Sequence, residues 1–481
     1  MELVMLVYML LLCGFLPLYM NAGYVQLGEA KALCYLVMSI PFALALIIGL
    51  IIGKRKELKE QKINTQVSEF FLYGTLFSFI ISFVFSVDKK TAFLGFEGWR
   101  NGLLVSLLAL SFCVIICEIG FLKSFVLALL FLAPFFEFVL SILNRMSLYP
   151  FAIAGQNNSF LATVGNIDWF SGFLSIWVPL GIGYMHVQKR FSLRFFLLGV
   201  YSLAGLVAVL MQGSDGASLI VMSCYVLLLW FSLRDRDEFK SFLIQLMVLG
   251  LAMIVVDVLM YYWGYLYSYD ENLLIMICKS HAGAILVAAA FFVYRVSRLF
   301  EEIKVSFWEK AYKKIYLVAL ICGLFCAVYF LIMNFNDDFG NGRGIIWRMC
   351  VDLYLGLSPW QKLVGIGQDC LYSYAMADDY WRSSFLNVFG NAALTNAHCD
   401  FLTILIERGL IGVVTYLGLF GSVLYQLIHI KEKEPTAIIC ALPVISYLVY
   451  SQITFTQVTS MPYCFILIGI AISLIKVRNS N

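Results

Sequence analysis

Charged residues are scarce in this sequence. Only 13% of its 481 residues are Asp, Glu, Lys or Arg, whereas 62% are hydrophobic, and the mean hydropathy is +0.88. A water-soluble domain carries about a quarter charged residues, so this scarcity excludes a water-soluble globular protein. The net charge of +3 is too small for nucleic-acid binding. The sequence also lacks a Walker-type phosphate loop and a dinucleotide fingerprint, which argues against ATP-driven transport by this chain alone.

Long apolar runs predict an all-α polytopic membrane protein, because a helix that crosses a bilayer needs about 20 apolar residues. The runs predict fourteen transmembrane helices. The first eleven fall within residues 1–333, at 3–20, 32–52, 67–87, 101–117, 123–142, 169–187, 195–211, 217–233, 241–260, 273–293 and 315–333. The last three fall within residues 399–481, at 399–428, 436–452 and 461–475.

The positions of the basic residues predict the orientation of these helices. About two thirds of the 33 Lys and Arg lie in connections that are cytoplasmic if the N-terminus is inside, as the positive-inside rule requires. Both termini are therefore expected in the cytoplasm. The first apolar run has no positive n-region and no A-x-A cleavage site, so we expect it to be retained as a span rather than removed as a signal peptide.

One connection, residues 334–398, is far longer than the others and is predicted to lie on the extracytoplasmic side, where such loops usually carry function. Its opening is rich in turn residues, and Ile345–Leu355 has the period of a helix along the membrane surface. Arg343 would then stand at a helix N-terminus, which favours an anion such as phosphate. Arg348 can share that anion only if the helix starts after Arg343. Alternatively, both arginines contact lipid head groups.

His398 ends this loop, and it is the histidine that the topology places on the outer surface. A histidine there can act as a general base, with a structural role as the alternative. At 100° per residue, Leu402, Leu405, Gly409 and Gly412 continue one helix face beneath His398. That stripe is expected to form either a groove for a lipid chain or a surface for close helix packing.

Several ionisable and cysteine side chains leave alternatives open. The charged or titratable residues within predicted helices include Lys279, His281, Glu407 and Arg408. Such residues either line a substrate or proton pathway or are paired, here with Asp257 or Glu137 for the first two. Three cysteines are expected on the outer side, where one disulfide could form: Cys350, Cys370 and Cys399. We expect no metal site at His398, Cys399 and Asp400, because adjacent side chains on a helix diverge.

Six segments carry a pattern that runs from about residue 90 to 420. They are Gly95–Leu103, with an aromatic-Arg-Asn-Gly-Leu order; Thr163–Phe170; Gln212–Ala217; Gly342–Trp347; Gly365–Gly367; and His398–Cys399 followed by Gly409–Gly412. Together they resemble the O-antigen ligase and polymerase family of bacterial membrane glycosyltransferases. The sequence departs from the family pattern at Ile167 and Asp168, which replace Pro-Asn, in the Gln212–Ala217 turn, which lacks the family's arginine, and at Cys399.

The resemblance implies a transferase that needs no metal or other cofactor and works at the outer face of the bacterial cytoplasmic membrane. Its donor would be a glycan on undecaprenyl pyrophosphate, and its acceptor a glycan or lipid hydroxyl. By the same resemblance, His398 would activate the acceptor and Arg343 would bind the pyrophosphate. Five residues would assist in substrate binding: Arg348, Arg100, Asn101, Asn166 and Glu407.

The alternative is a transporter or flippase of lipid-linked oligosaccharide. In that case Lys279, His281, Glu407 and Arg408 would line the pathway. Transporters often contain internal repeats, and this sequence shows none, which favours the transferase.

Overall fold

The structure is a computed structural model that describes residues 1–57, 66–119, 129–233, 236–299, 306–430 and 434–480. These residues form an all-α fold, as predicted. The one sheet in the described part of the chain is a short antiparallel hairpin of Phe160–Leu161 and Gly165–Asn166. The α-helices span Glu2–Leu10, Leu27–Glu57, Val67–Val84, Lys89–Leu94, Leu103–Ile119, Leu132–Arg145, Ile167–Val187, Leu193–Met211, Ser218–Ser232, Arg236–Trp263, Leu273–Lys279, Ala282–Leu299, Ser306–Asn334, Phe339–Gly356, Pro359–Val364, Leu371–Ala377, Asp379–Phe389, Asp400–Ile430, Ala437–Tyr450 and Met461–Ser480.

Many of these helices can cross a membrane. Within the described ranges, eight are long and apolar enough, or nine if the bent pair Leu273–Lys279 and Ala282–Ser297 is one span. Four shorter apolar helices lie at positions where the sequence predicts further spans: Glu2–Phe15, Leu103–Ile119, Ala437–Ile453 and Met461–Val477. Part of the predicted span 123–142, namely residues 123–128, lies outside the described residues.

The helices differ in how deeply they are packed. Ile167–Val187 is the most enclosed candidate span, with 89% of its apolar window buried, whereas none of the window of Lys314–Asn334 is buried. The first turn of a deeply packed helix is held firmly by its neighbours, so a side chain there has a defined position. Asp168 is the second residue of Ile167–Val187 and lies in that first turn.

The segment 334–398 is largely helical. It contains four helices, at Phe339–Gly356, Pro359–Val364, Leu371–Ala377 and Asp379–Phe389, and the first includes the predicted Ile345–Leu355 helix. These helices have a small apolar core of their own, which also includes residues from the start of Asp400–Ile430. Cys350, Cys370 and Cys399 are free thiols. The packed segment therefore contacts the N-terminal part of the Asp400–Ile430 helix.

The helix Asp400–Ile430 is broken at Gly409, whose φ of 63° and ψ of −166° are not helical. The break frees two carbonyls of the preceding turn. The Ile366 N–H donates to the Ile406 carbonyl at 3.1 Å, and the Gly367 N–H donates to the Glu407 carbonyl at 3.0 Å. The Gly365–Gly367 segment therefore satisfies backbone groups that a continuous helix would pair internally.

The predicted stripe from His398 to Gly412 on one continuous helix face is wrong. His398 precedes the first helical residue and has a φ of 48°. Gly409 lies at the break and is covered, because a Cβ there would be 2.3 Å from the Leu363 carbonyl oxygen. At Gly412 the corresponding space is taken by the Arg408 side chain, 2.3 Å away. The two glycines serve close packing and leave no open groove.

Candidate functional site

Arg343 directly follows a left-handed turn. Gly340, Asn341 and Gly342 all have positive φ, at 61°, 61° and 82°, and right-handed helical geometry begins after them. Glycine and asparagine adopt this conformation at the least cost, which explains the turn-rich sequence. The guanidinium donates from Nη1 to the Gly340 carbonyl at 3.0 Å and from Nη2 to Asp168 Oδ2 at 3.0 Å. Arg343 thus lies at the start of a regular helix, as predicted.

Asp168 is fixed independently of Arg343. The Asn166 side chain caps the Ile167–Val187 helix by accepting the Asp168 N–H at 2.9 Å, and Tyr450 Oη donates to the Asp168 carbonyl at 3.3 Å. Asn166, a predicted substrate-binding residue, therefore acts on the backbone that positions Asp168. Asp168 was missed as a site residue by the sequence analysis. The signal available was its departure from the family pattern, a carboxylate in place of an amide.

His398 lies beside this ion pair. The backbone N–H of His398 donates to Asn396 Oδ1 at 3.1 Å, which supports the left-handed backbone of His398. The imidazole ring contacts Phe455 edge-on, with ring centroids 5.3 Å apart. Burial lowers the pKa of His398, and the charge of Arg343 lowers it further, while Asp168 opposes the shift. Neither ring nitrogen has a hydrogen-bond partner in the part of the chain that the structure describes. Burial and Arg343 thus favour the neutral imidazole, which is the form that can accept a proton.

The predicted residues Arg100 and Asn101 hold the neighbouring loop together. Arg100 forms an ion pair with Glu29 at 2.7 Å, and Glu29 raises its pKa. Asn101 Nδ2 donates to the Thr456 carbonyl at 2.7 Å. Because the Arg100 guanidinium and the Asn101 amide nitrogen are already paired within the protein, the structure gives both residues a role in shaping the loop beside the site; Asn101 Oδ1 is buried without a partner among the described residues.

Asp369 supports the same loop from the opposite side. Its Oδ2 accepts the N–H groups of Phe96 at 2.6 Å and Asn101 at 3.1 Å. Burial raises the pKa of Asp369 to about 6, against the effect of these hydrogen bonds. Within that loop, Trp99 packs edge-on against Trp169 and Phe455, each at 5.0 Å between centroids. Phe455 in turn contacts His398, so the loop forms one wall around the imidazole.

The other predicted residues have partners of their own. Arg348 is half exposed and paired with Asp337 at 2.5 Å. Glu407 lies at the helix break, where its carbonyl also accepts a hydrogen bond from Ser82 at 2.5 Å. Arg348 and Glu407 make no contact with Arg343 or His398 among the described residues. The cluster that the structure assembles is therefore His398, Arg343 and Asp168.

Lys279 and His281, which lie where the bent pair breaks, each hold an ion pair. Lys279 Nζ contacts Glu271 at 2.8 Å, and His281 Nδ1 contacts Asp257 at 2.6 Å. Of the two partners considered from the sequence, Asp257 is the one that His281 contacts. Arg408 is buried, and its guanidinium lies over the rings of Phe79 at 4.0 Å and Tyr416 at 5.7 Å.

The arrangement around His398 joins two chemical capabilities. A neutral imidazole can remove a proton from a hydroxyl group, and a guanidinium within its electrostatic reach can bind an anionic group.

A comparison with family models and a comparison with curated proteins both returned no match to this chain.

Proposed function

We propose that the chain is a membrane glycosyltransferase of the O-antigen ligase or polymerase type. It transfers or polymerises a glycan from an undecaprenyl-pyrophosphate donor onto an acceptor hydroxyl. The observation that carries the proposal is the position of His398, whose ring nitrogens are unpaired in the described part of the chain and whose pKa is lowered by burial and by the charge of Arg343. A base together with a fixed positive charge is what transfer to a hydroxyl with an anionic leaving group requires.

The proposed membrane arrangement has fourteen spans with both termini in the cytoplasm of a bacterial cell. It counts the eight long helices, the bent pair, the four shorter apolar helices and the span that includes Leu132–Arg145. Residues 334–398 then lie at the outer face, together with His398 and Arg343. A lipid-linked donor reaches such a site from the outer leaflet.

In the proposed reaction, the acceptor oxygen attacks the anomeric carbon of the donor sugar while the bond from that carbon to the phosphate oxygen breaks. His398 takes the proton of the acceptor hydroxyl. The pyrophosphate leaves with the bonding electron pair, and Arg343 stabilises the negative charge that develops on it. No electron transfer occurs, and undecaprenyl pyrophosphate is the second product.

The transporter alternative receives less support from the geometry. Three of its four expected pathway residues are engaged: Lys279 with Glu271, His281 with Asp257, and Arg408 with two aromatic rings. Lys279 and His281 already hold ion pairs and Arg408 is buried, so a substrate would first have to break an ion pair or reach a buried cation. The transferase therefore remains the proposal, and the transporter is an outcome that the test must exclude.

The test measures glycan transfer by purified protein from a lipid-pyrophosphate donor, with a chelator present throughout. His398→Ala and Arg343→Ala should each lower kcat by about 10²-fold or more, because each removes a group that acts in the transition state. His281→Ala is the matched control, since it removes an exposed imidazole from another ion pair. Its transfer rate should equal that of the wild type.

Two results would contradict the proposal. One is full transfer by monodisperse His398→Ala protein. The other is the absence of transfer together with movement of lipid-linked oligosaccharide across liposomes that depends on Lys279 or His281. The length distribution of the product distinguishes ligase from polymerase in the case where transfer is found.

A further inference from the structure

The ion pair between Arg343 and Asp168 is made through a single contact. Only Nη2 of the guanidinium meets the carboxylate, at Oδ2, although arginine can bind a carboxylate through two parallel hydrogen bonds. Nη1 is held by the Gly340 carbonyl, and Nε is buried without a partner among the described residues. Arg343 therefore keeps an unused donor, and its contact with Asp168 is of the weaker, one-point kind.

Both side chains of the pair remain partly accessible, with 19% of Arg343 and 27% of Asp168 exposed. A partner that arrives from outside can thus reach the contact. Asp168 itself does not need Arg343 in order to stay in place, because the cap by Asn166 and the hydrogen bond from Tyr450 both act on its backbone. The carboxylate can release the guanidinium without loss of the helix start.

We infer that the Asp168 carboxylate occupies the place on Arg343 that a phosphate oxygen of the donor takes over, so that the cation is neutralised until the donor displaces it. This inference rests on the proposed function, in which Arg343 binds the pyrophosphate, and it makes the Asp168 carboxylate a competitor of the pyrophosphate for Arg343. Asp168 is a positioning residue, because it acts through Arg343. Since it competes equally with the leaving pyrophosphate, it also favours product release.

The test compares the binding of inorganic pyrophosphate by purified full-length protein, measured by calorimetry. Asp168→Asn keeps the shape of the side chain and removes its charge, so it should lower the Kd for pyrophosphate about two- to five-fold, the range for a partly exposed ion pair. Asp168→Ser removes the same charge with a different side chain and should act in the same direction. Asp237→Asn is the matched control, because Asp237 pairs with Arg190 at 2.7 Å away from the site.

A double variant tests whether the effect passes through Arg343. In an Arg343→Ala background, Asp168→Asn should give no further change in pyrophosphate binding, because the guanidinium for which Asp168 and pyrophosphate compete is absent. A second readout is the pH profile of transfer. Asp168 raises the pKa of His398 against the effect of burial, so Asp168→Asn should move the acid limb to lower pH.

The inference is overturned if monodisperse Asp168→Asn and Asp168→Ser proteins bind pyrophosphate as weakly as the wild type, or more weakly. It is also overturned if the gain persists without Arg343. Failure of the proposed function looks different, because it appears as absence of glycan transfer by the wild type. If the wild type shows no transfer but Asp168→Asn still binds pyrophosphate more tightly, the proposed function fails and the competition between Asp168 and the anion is supported.

Discussion

Replacing Gly409 with alanine places a methyl group where the backbone has no room for it. The new Cβ would lie 2.3 Å from the Leu363 carbonyl oxygen, 2.4 Å from the Leu363 carbonyl carbon and 2.6 Å from the Val364 nitrogen. All three are backbone atoms, so a side-chain rotation cannot relieve the overlap. The φ of 63° and ψ of −166° at this residue also belong to a region that is essentially restricted to glycine.

Two costs add at this position. The unfavourable backbone conformation costs about 1–3 kcal/mol for a residue with a side chain. Displacement of the packed segment around Leu363 costs about another 1–3 kcal/mol. The expected loss of stability is thus about 2–6 kcal/mol, and the shift should disturb the pairing of the Gly365–Gly367 segment with the helix break.

The assay follows the fraction of monodisperse protein in detergent after heating, together with glycan transfer. Gly421→Ala is the matched control, since Gly421 lies in the same helix and a Cβ there meets nothing within 4 Å. Alanine is favoured over glycine in a helix interior by about 1 kcal/mol, so the control should equal or exceed wild-type stability. If Gly409→Ala unfolds at the same temperature as Gly421→Ala, the break and its packing are not present as described.

The helical segments were predictable because apolar runs report local structure. A helix that packs in a membrane needs a long apolar sequence, and most of each predicted segment is helical over its described part. Two segments differ from the prediction, since 273–293 is divided into two helices bent by 67° and the helical part of 3–20 ends at Phe15. The helix within residues 345–355 was also predictable from its period. The break at Gly409 was not, because a count of 100° per residue assumes a continuous helix, whereas the break depends on a segment more than 40 residues earlier in the chain.

The candidate site was predictable only in part. Arg343 and His398 stood out because their local sequences combine turn residues with groups suited to anion binding and proton transfer. Asp168 did not, because its role depends on a contact between residues 175 positions apart, which no local pattern encodes. Arg100 and Arg348 show the converse: each was a candidate for its charge, and each has a carboxylate partner that the sequence did not indicate.

Two further predictions concern the turn that precedes Arg343 and the proton affinity of His398. Asn341 has a φ of 61°, so Asn341→Val should destabilise the turn by about 1–2 kcal/mol, whereas Asn341→Gly should not. Hydrogen exchange of the turn amides measures the difference. Equal protection of these amides in both variants would contradict the left-handed turn. For His398, the neutral form is the base, and burial with Arg343 lowers its pKa below the ordinary 6.5. Protonation therefore removes the base only at a pH below that value, and kcat/KM should stay near its plateau at pH 7 and fall as the pH drops through the lowered pKa. A profile measured from pH 5 to 8 tests this, and Arg343→Lys, which keeps the positive charge, should leave the midpoint of the acid limb below 6.5. A midpoint above 6.5 in the wild type would contradict the lowering of the His398 pKa by burial and Arg343.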